Sequence, residues 1–285
     1  MMNTLRFTLP GNWTDGDGFG CASLGLAGTT EDTAVFSHTL DGLVLYGQYA
    51  HVLRQVEELT DPDSIQAAIV LFGNAGGENE FLRKLRHLLH CPMVGGGAAI
   101  DSVTGKSALL TGGSPVAIFL IKDARYRFET ETLCIHEQIL EDCTLTLADP
   151  RTILTINGVD GAAYLAEKKK ALGLRDTDFE HLTLTDLYGV NAHLSKPGKQ
   201  IKSGRDLQEK MQLRYIPHEK VYDRIRAFYN DPDAIVFGCA GLGGILDHPL
   251  DTPSLGLLLF GEVCTVGDHA EFGNLMLSKL RILSK

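Results

Sequence analysis

The stretch AIVLFGNAGG at residues 68–77 decides how this chain is read, because it returns as AIVFGCAGLGG at residues 234–244. Each copy is an unbroken apolar run that ends in a glycine-rich turn. Each follows the same prelude, an amphipathic helical stretch and then Asp-Pro-Asp, which is Asp61-Pro62-Asp63 in one copy and Asp231-Pro232-Asp233 in the other. An apolar run of this length between turn signals reads as a strand buried on both faces. Proline stops the helix before it, because its ring cannot continue the hydrogen-bond ladder and disfavours helical geometry in the preceding residue. The first copy carries four more residues, 64–67, before the shared Ala-Ile-Val. The repeat reads as one helix-then-strand unit used twice. Chance recurrence of a common helix–turn–strand pattern is the alternative.

Working outward, residues 48–59 place Tyr49, Val52, Leu53, Val56 and Leu59 on one helical face, and the second copy does the same with Val221, Tyr222, Ile225 and Phe228. Residues 78–90 form another amphipathic helix, with Phe81, Leu82, Leu85, Leu88 and Leu89 inward. Glu78 and Glu80 open it and basic residues close it, the order that suits the helix dipole. Cys91-Pro92 ends it, and Met93-Val94 leads into Gly95-Gly96-Gly97. Two β-rich runs are predicted near 107–111 and 115–122. Further on, residues 151–156 read as a strand and Asn157-Gly158 as a turn, with Asp160 capping a helix that runs to about Leu172. The pattern from 173 to 204 is weak, and Ser195-Lys196-Pro197-Gly198-Lys199 reads as an exposed loop. The prolines in ILDHPLDTPS (245–254) make a loop before a buried strand at 255–263, and residues 271–283 fit strand or helix equally. The fold class expected is α/β (α+β): two related halves, 1–150 and 151–285, with helices layered on mixed, largely antiparallel sheets.

Composition narrows the function. The chain has 285 residues and a formal charge of −10, from 36 acids against 26 bases. That balance argues against a nucleic-acid partner, which calls for a basic patch. Lys168-Lys169-Lys170, the longest basic run, reads as a solvated helix face. Apolar stretches such as VAIFLI at 116–121 are far shorter than the roughly twenty residues a membrane span needs. The six cysteines (21, 91, 134, 143, 239 and 264) form no CxxC pair and read as free thiols in a reducing compartment. The first twenty residues hold no apolar signal core. A soluble cytoplasmic protein without a cofactor is expected.

Several residues could carry chemistry. The turn at 73–77 lies between a strand and a helix N-terminus, where main-chain amides can hold an anion, but neither GxxxxGK[ST] nor GxGxxG is present. It serves equally as a tight turn. His87, His90 and Cys91 have no second cluster to complete a zinc site, so no metal is expected. Cys239 follows a buried strand inside a tight turn and is either a small residue tolerated there or a nucleophile paired with His248 or His269. Glu262 follows an apolar strand, and a carboxylate there is costly unless it is paired or lines a wet cleft. Asn274 is likewise polar among apolar neighbours. The two either line a pocket or make buried structural hydrogen bonds.

These motifs resemble the FIST family of sensory modules. The resemblance is carried by Phe237-Gly238-Cys239-Ala240-Gly241, by LGLLLFGEV at 255–263 with its Gly261-Glu262 pair, and by Glu271-Phe272-Gly273-Asn274. In the family a Cys-x-Gly turn, a Gly-Glu pair and a late Asn recur in that order. AAIVLFGN at 67–74, Pro92 through Gly97, and the bridging segment at 153–165 extend the similarity over most of the chain. Leu242 stands where the family usually has an arginine. The resemblance implies a small-ligand sensor, the ligand an amino acid or related metabolite, with a cleft near Asn74, Gly95, Gly96, Gly97, Cys239, Gly241, Glu262 and Asn274. With no kinase, cyclase or F-box segment in this sequence, a separate signalling protein would read the signal. A thiol-dependent transferase or hydrolase using Cys239 and an interaction scaffold without ligand are the competing classes.

Overall fold

The computed structural model describes residues 2–8, 19–22, 25–27, 33–73, 76–98, 114–175, 178, 180–196, 199–243, 254–259 and 261–285. The first repeat run is strand β5 (Ala67–Phe72), and every residue in it is buried. Strand geometry sends alternate side chains to opposite faces. Ile69 and Leu71 therefore pack against a second sheet, while Val70 and Phe72 pack against helices. A strand covered on both faces needs apolar residues at every position, which is why the run does not alternate.

Around β5 the first sheet runs, in spatial order, β2 (Phe19–Ala22), β1 (Met2–Thr8), β4 (Thr33–Gly47), β7 (Val116–Ile121), β5, β6 (Met93–Gly97), β19 (Glu262–Val266) and β20 (His269–Gly273). The second sheet runs β3 (Gly25–Ala27), β18 (Leu255–Leu259), β17 (Ala234–Cys239), β21 (Met276–Ser284) and β8 (Tyr126–Cys134). The two stretches that recur in sequence, β5 and β17, hold equivalent places. Each has a parallel neighbour on one side (β6, β18) and an antiparallel one on the other (β7, β21), followed by a further antiparallel strand (β4, β8).

The sheets stack face to face. Ile69, Leu71, Val94, Phe119 and Ile121 of the first meet Ile235, Phe237, Leu257, Leu280 and Ile282 of the second. Helices α1 (Tyr49–Glu57) and α2 (Glu78–Leu88) cover the outer face of the first sheet through Val52, Val56, Phe81, Leu82 and Leu85. Helix α4 (His218–Tyr229) covers the second through Val221, Ile225, Phe228 and Tyr229. The result is an α–β–β–α sandwich. Glu78 and Glu80 lie in the first turn of α2 and Arg86 and His87 in its last, as the dipole favours.

A third sheet lies between β8 and α4 in the chain. It orders β13 (Asn191–Ala192), β12 (Leu182–Thr185), β16 (Lys210–Tyr215), β9 (Gln138–Asp149), β10 (Thr152–Ile156), β15 (Ile201–Ser203) and β14 (Leu194–Ser195), with β11 (Val159–Asp160) paired to β10. Helix α3 (Gly161–Ala171) packs on it through Tyr164 and Leu165. The Asp160 carboxylate accepts from the Ala163 amide at 3.0 Å, the expected N-cap. Asn157 and Gly158 both take positive φ in the turn before it.

The α+β class holds, with mixed sheets and few helices. The segment that fitted strand or helix equally is strand, divided between β20 and β21. The two halves interleave: β8 joins β21 in the second sheet, and the β19–β20 hairpin joins β6 in the first. The run near 107–111, the loop at 245–253 and Pro197-Gly198 lie outside the described residues. No described helix is long and apolar enough to cross a membrane.

Phe237 is fully buried at the centre of the sheet-to-sheet interface. Phe237→Ala is expected to lower the unfolding free energy by about 3–5 kcal/mol in urea titrations. A loss under about 1 kcal/mol would show that the two sheets do not share this core.

Candidate functional site

Parallel strands end at the same edge of a sheet, and clefts form beyond their carboxyl ends. Strands β17 and β18 are such a pair. Past their ends lies a cavity of about 450 Å³. The sandwich supplies Cys239, Leu259, Gly261, Phe272 and Asn274, together with Ala240 and Gly241 of the short helix α5 (Ala240–Gly243). Gly76 and Glu78, at the start of α2, form another side, and the third sheet closes the space with Arg151, His193 and Gly204.

Glu262 sits one layer behind this wall and is 0% exposed. Its Oε2 accepts from the Met276 amide at 3.1 Å, while Oε1 has no hydrogen-bond partner meeting ordinary geometry. Burial raises its pKa well above the usual carboxyl range, with the Met276 amide and the Cys239 thiol opposing. Cys239 is itself buried, and its thiol is pushed up by desolvation first and by the Glu262 charge second. Main-chain N–H groups of Leu275, Gly241 and Gly261 are directed at the sulfur and pull the other way. Asn274 is 8% exposed and its Oδ1 is unpartnered. It lies against Gly204, where an added Cβ would stand 2.5 Å from that oxygen and displace the Asn274 side chain. His193 is pushed down by burial, which favours neutral imidazole. The Arg151 Nε donates to Asp206 at 2.7 Å.

A buried polar network holds the wall in place. The Asn191 main-chain oxygen accepts from the Asn274 amide at 3.1 Å, and the Asn191 side-chain Nδ2 donates to the Leu275 carbonyl at 3.1 Å. Leu275 is thereby kept at φ +54°, a left-handed conformation that is uncommon outside glycine. The same Nδ2 faces His136 Nδ1 at 3.1 Å, and His136 Nε2 meets the Glu180 carbonyl at 2.7 Å. A carbonyl can only accept, so Nε2 carries the proton and Nδ1 is the acceptor. Burial holds this imidazole neutral, with its pKa lowered to about 4.

Of the residues expected from sequence, the structure brings Cys239, Gly241 and Asn274 to the cavity and Glu262 directly behind it. Gly95, Gly96 and Gly97 lie in β6 and are not part of the lining. Sheet packing accounts for two of them: an added Cβ would fall 1.9 Å from the Val70 oxygen at Gly95 and 2.3 Å from the Gly261 oxygen at Gly96. Asn74 and His248 lie outside the described residues. His269 stacks on Tyr188 at 4.2 Å, at the opposite end of the β19–β20 hairpin from Glu262, and does not line the cavity. Leu242 is buried in the apolar core beneath α4. Among the described residues no three His, Cys, Asp or Glu side chains group to hold a metal ion. Sequence reasoning missed Arg151, His193 and Gly204, which the third sheet delivers from a stretch of weak pattern. Gly76, Gly261 and Phe272 stood inside quoted motifs without being named as site residues.

No protein-family model matches the chain, and comparison with curated proteins gives no match.

His136 generates a pH prediction. Its folded pKa of about 4 lies below the ordinary 6.5, so the unfolded chain binds this proton more readily. The stability that depends on neutral His136 is complete above about pH 6.5 and is lost progressively as the pH falls toward 4, by about 3 kcal/mol in total. Denaturation midpoints between pH 7 and 4 should show this slope in the wild type and a flatter one in His136→Gln. Parallel slopes in both proteins would remove His136 as the cause.

Proposed function

We propose that this chain is a small-molecule-binding sensory protein and that the cavity beside Cys239 is its ligand site. The observation that carries this reading is a cavity of about 450 Å³ whose wall brings together Glu78, Arg151, His193, Cys239 and Asn274. The volume lies in the range of small-molecule pockets. The resemblance to the FIST family supports an amino acid or related metabolite as ligand and a separate signalling protein as reader. Glu78 and Arg151, of opposite charge on the same cavity, suit a ligand carrying both signs.

The wall also supports a mechanism. It draws residues from the sandwich and from the third sheet, so a ligand touching both favours the arrangement in which the two are pressed together. A partner that recognises this arrangement would read the population shift. A buried, neutral Cys239 thiol fits binding better than turnover through a thiolate. Within the cell, a cytoplasmic location is the natural setting for the free thiols.

A thermal-shift panel of amino acids and organic acids tests the reading. At least one compound should raise the melting temperature, and Asn274→Ala should weaken its binding by about ten- to a hundredfold. Glu262→Gln should also change the pH dependence. With its folded pKa raised, Glu262 favours the native state most below about pH 4.5 and progressively less as the pH rises through the folded pKa, a loss that a glutamine does not share. No stabilisation by any compound, together with unchanged behaviour of Glu262→Gln, would sink the sensor reading.

A further inference from the structure

A groove of about 400 Å³ lies between helices α1 and α2, on the outer side of the first sheet. Leu53 and Glu57 of α1 line it, with Arg83, Lys84, His87 and Leu88 of α2. Leu53 and Leu88 pack against the core beneath the helices and keep part of their surface in solvent. Glu57, Arg83, Lys84 and His87 are exposed. The groove is therefore divided by charge, with a carboxylate on the α1 bank and cations on the α2 bank. Glu80 holds Lys84 at 2.7 Å and offsets its charge. Arg83 is the chief cation that remains, since its Nε donates to the neutral Asn79 carbonyl at 3.3 Å.

A face that carries both signs side by side can match itself. In a two-fold dimer the same patch meets its own copy. If the axis runs along the groove, α1 of one copy lies over α2 of the other. Glu57 then faces Arg83 of the second copy, and the pair occurs twice. Leu53 and Leu88 of both copies gather at the axis between the two pairs. An axis across the groove would set Glu57 against Glu57 and Arg83 against Arg83, and like charges in contact oppose association. The formal charge of −10 makes two copies repel at a distance, so any attraction has to be matched locally. At physiological ionic strength screening confines that repulsion to about 8 Å.

We propose that the α1–α2 face is a dimerisation surface, occupied by the same face of a second copy of this chain with the two-fold axis along the groove. The association uses no residue that lines the cavity, so it stands apart from the ligand-binding reading. Helices of nine and eleven residues are about 14 and 16 Å long, enough for a small and reversible interface.

Sedimentation velocity on the whole chain tests this. The wild type should pass from monomer to dimer with rising concentration, with a dissociation constant on the order of 10 µM. Glu57→Arg and Arg83→Glu should each sediment as monomers, weakened at least tenfold, while still unfolding cooperatively in urea. Mixed in equal amounts, the two variants should form a heterodimer, because each then meets opposite charge on both banks. A wild type that stays monomeric up to about 100 µM overturns the proposal. A dimer that persists in both variants places the interface elsewhere and overturns it as well. Two monomeric variants that do not associate when mixed overturn the Glu57–Arg83 pairing and the axis it sets.

Discussion

Gly96 and Gly261 approach so closely across the β6–β19 seam that a side chain at Gly96 would put its Cβ 2.3 Å from the Gly261 carbonyl oxygen. Gly95 is as tightly held from the other side, with its added Cβ position 1.9 Å from the Val70 oxygen. Only backbone fits there, and the fit lets a hairpin from near the end of the chain continue a sheet built mainly from the first half. Glu262 is carried on that seam to meet the Met276 amide, and Phe272 and Asn274 follow on the return path to the cavity. The site therefore depends on main-chain contact between glycines far apart in sequence, before any side-chain chemistry enters.

The surroundings of the site are unusually polar for an interior. Asp186 and Arg205 form a buried ion pair at 3.0 Å, and Arg205 also reaches Glu271 of β20 at 3.5 Å. Breaking such a pair costs more than forming it gains, because a charge is left without solvent. Together with Asn191 it ties the third sheet to the hairpin by directional bonds. Directional bonds specify one geometry, which apolar contact alone does less sharply. The left-handed Leu275 is held at the junction of these ties.

Much of the sandwich was legible because its signals are local. The runs at β5 and β17, the helical faces of α1, α2 and α4, and the Asp160 cap each follow from a few neighbouring residues. Cys239, Gly241 and Asn274 were legible as polar or small residues set among apolar ones. The third sheet was not. Several of its strands are two to four residues long, too short for periodicity to declare itself, and their partners lie far away in sequence. Arg151, His193 and Gly204 carry no local mark of a site, because pairing in that sheet alone brings them to the cavity. The Gly95–Gly97 run lies away from the cavity lining. A glycine-rich segment invites a ligand, and here at Gly95 and Gly96 it accommodates a neighbouring strand.

The order in which the chain is made gives the β6–β19 seam a further consequence. Residues 93–97 leave the ribosome well before residues 262–266, which provide the partner strand. At a synthesis rate of about 5–20 residues per second, that interval lasts on the order of ten seconds or more. During it β6 presents a free edge with apolar side chains beside it, the kind of template that recruits foreign strands. Strand β8 waits similarly for β21, the last strand of the chain. Folding of both stacked sheets is thus completed only when these later strands arrive, so that their loss would leave β6, β17 and β8 with open edges rather than a smaller finished domain.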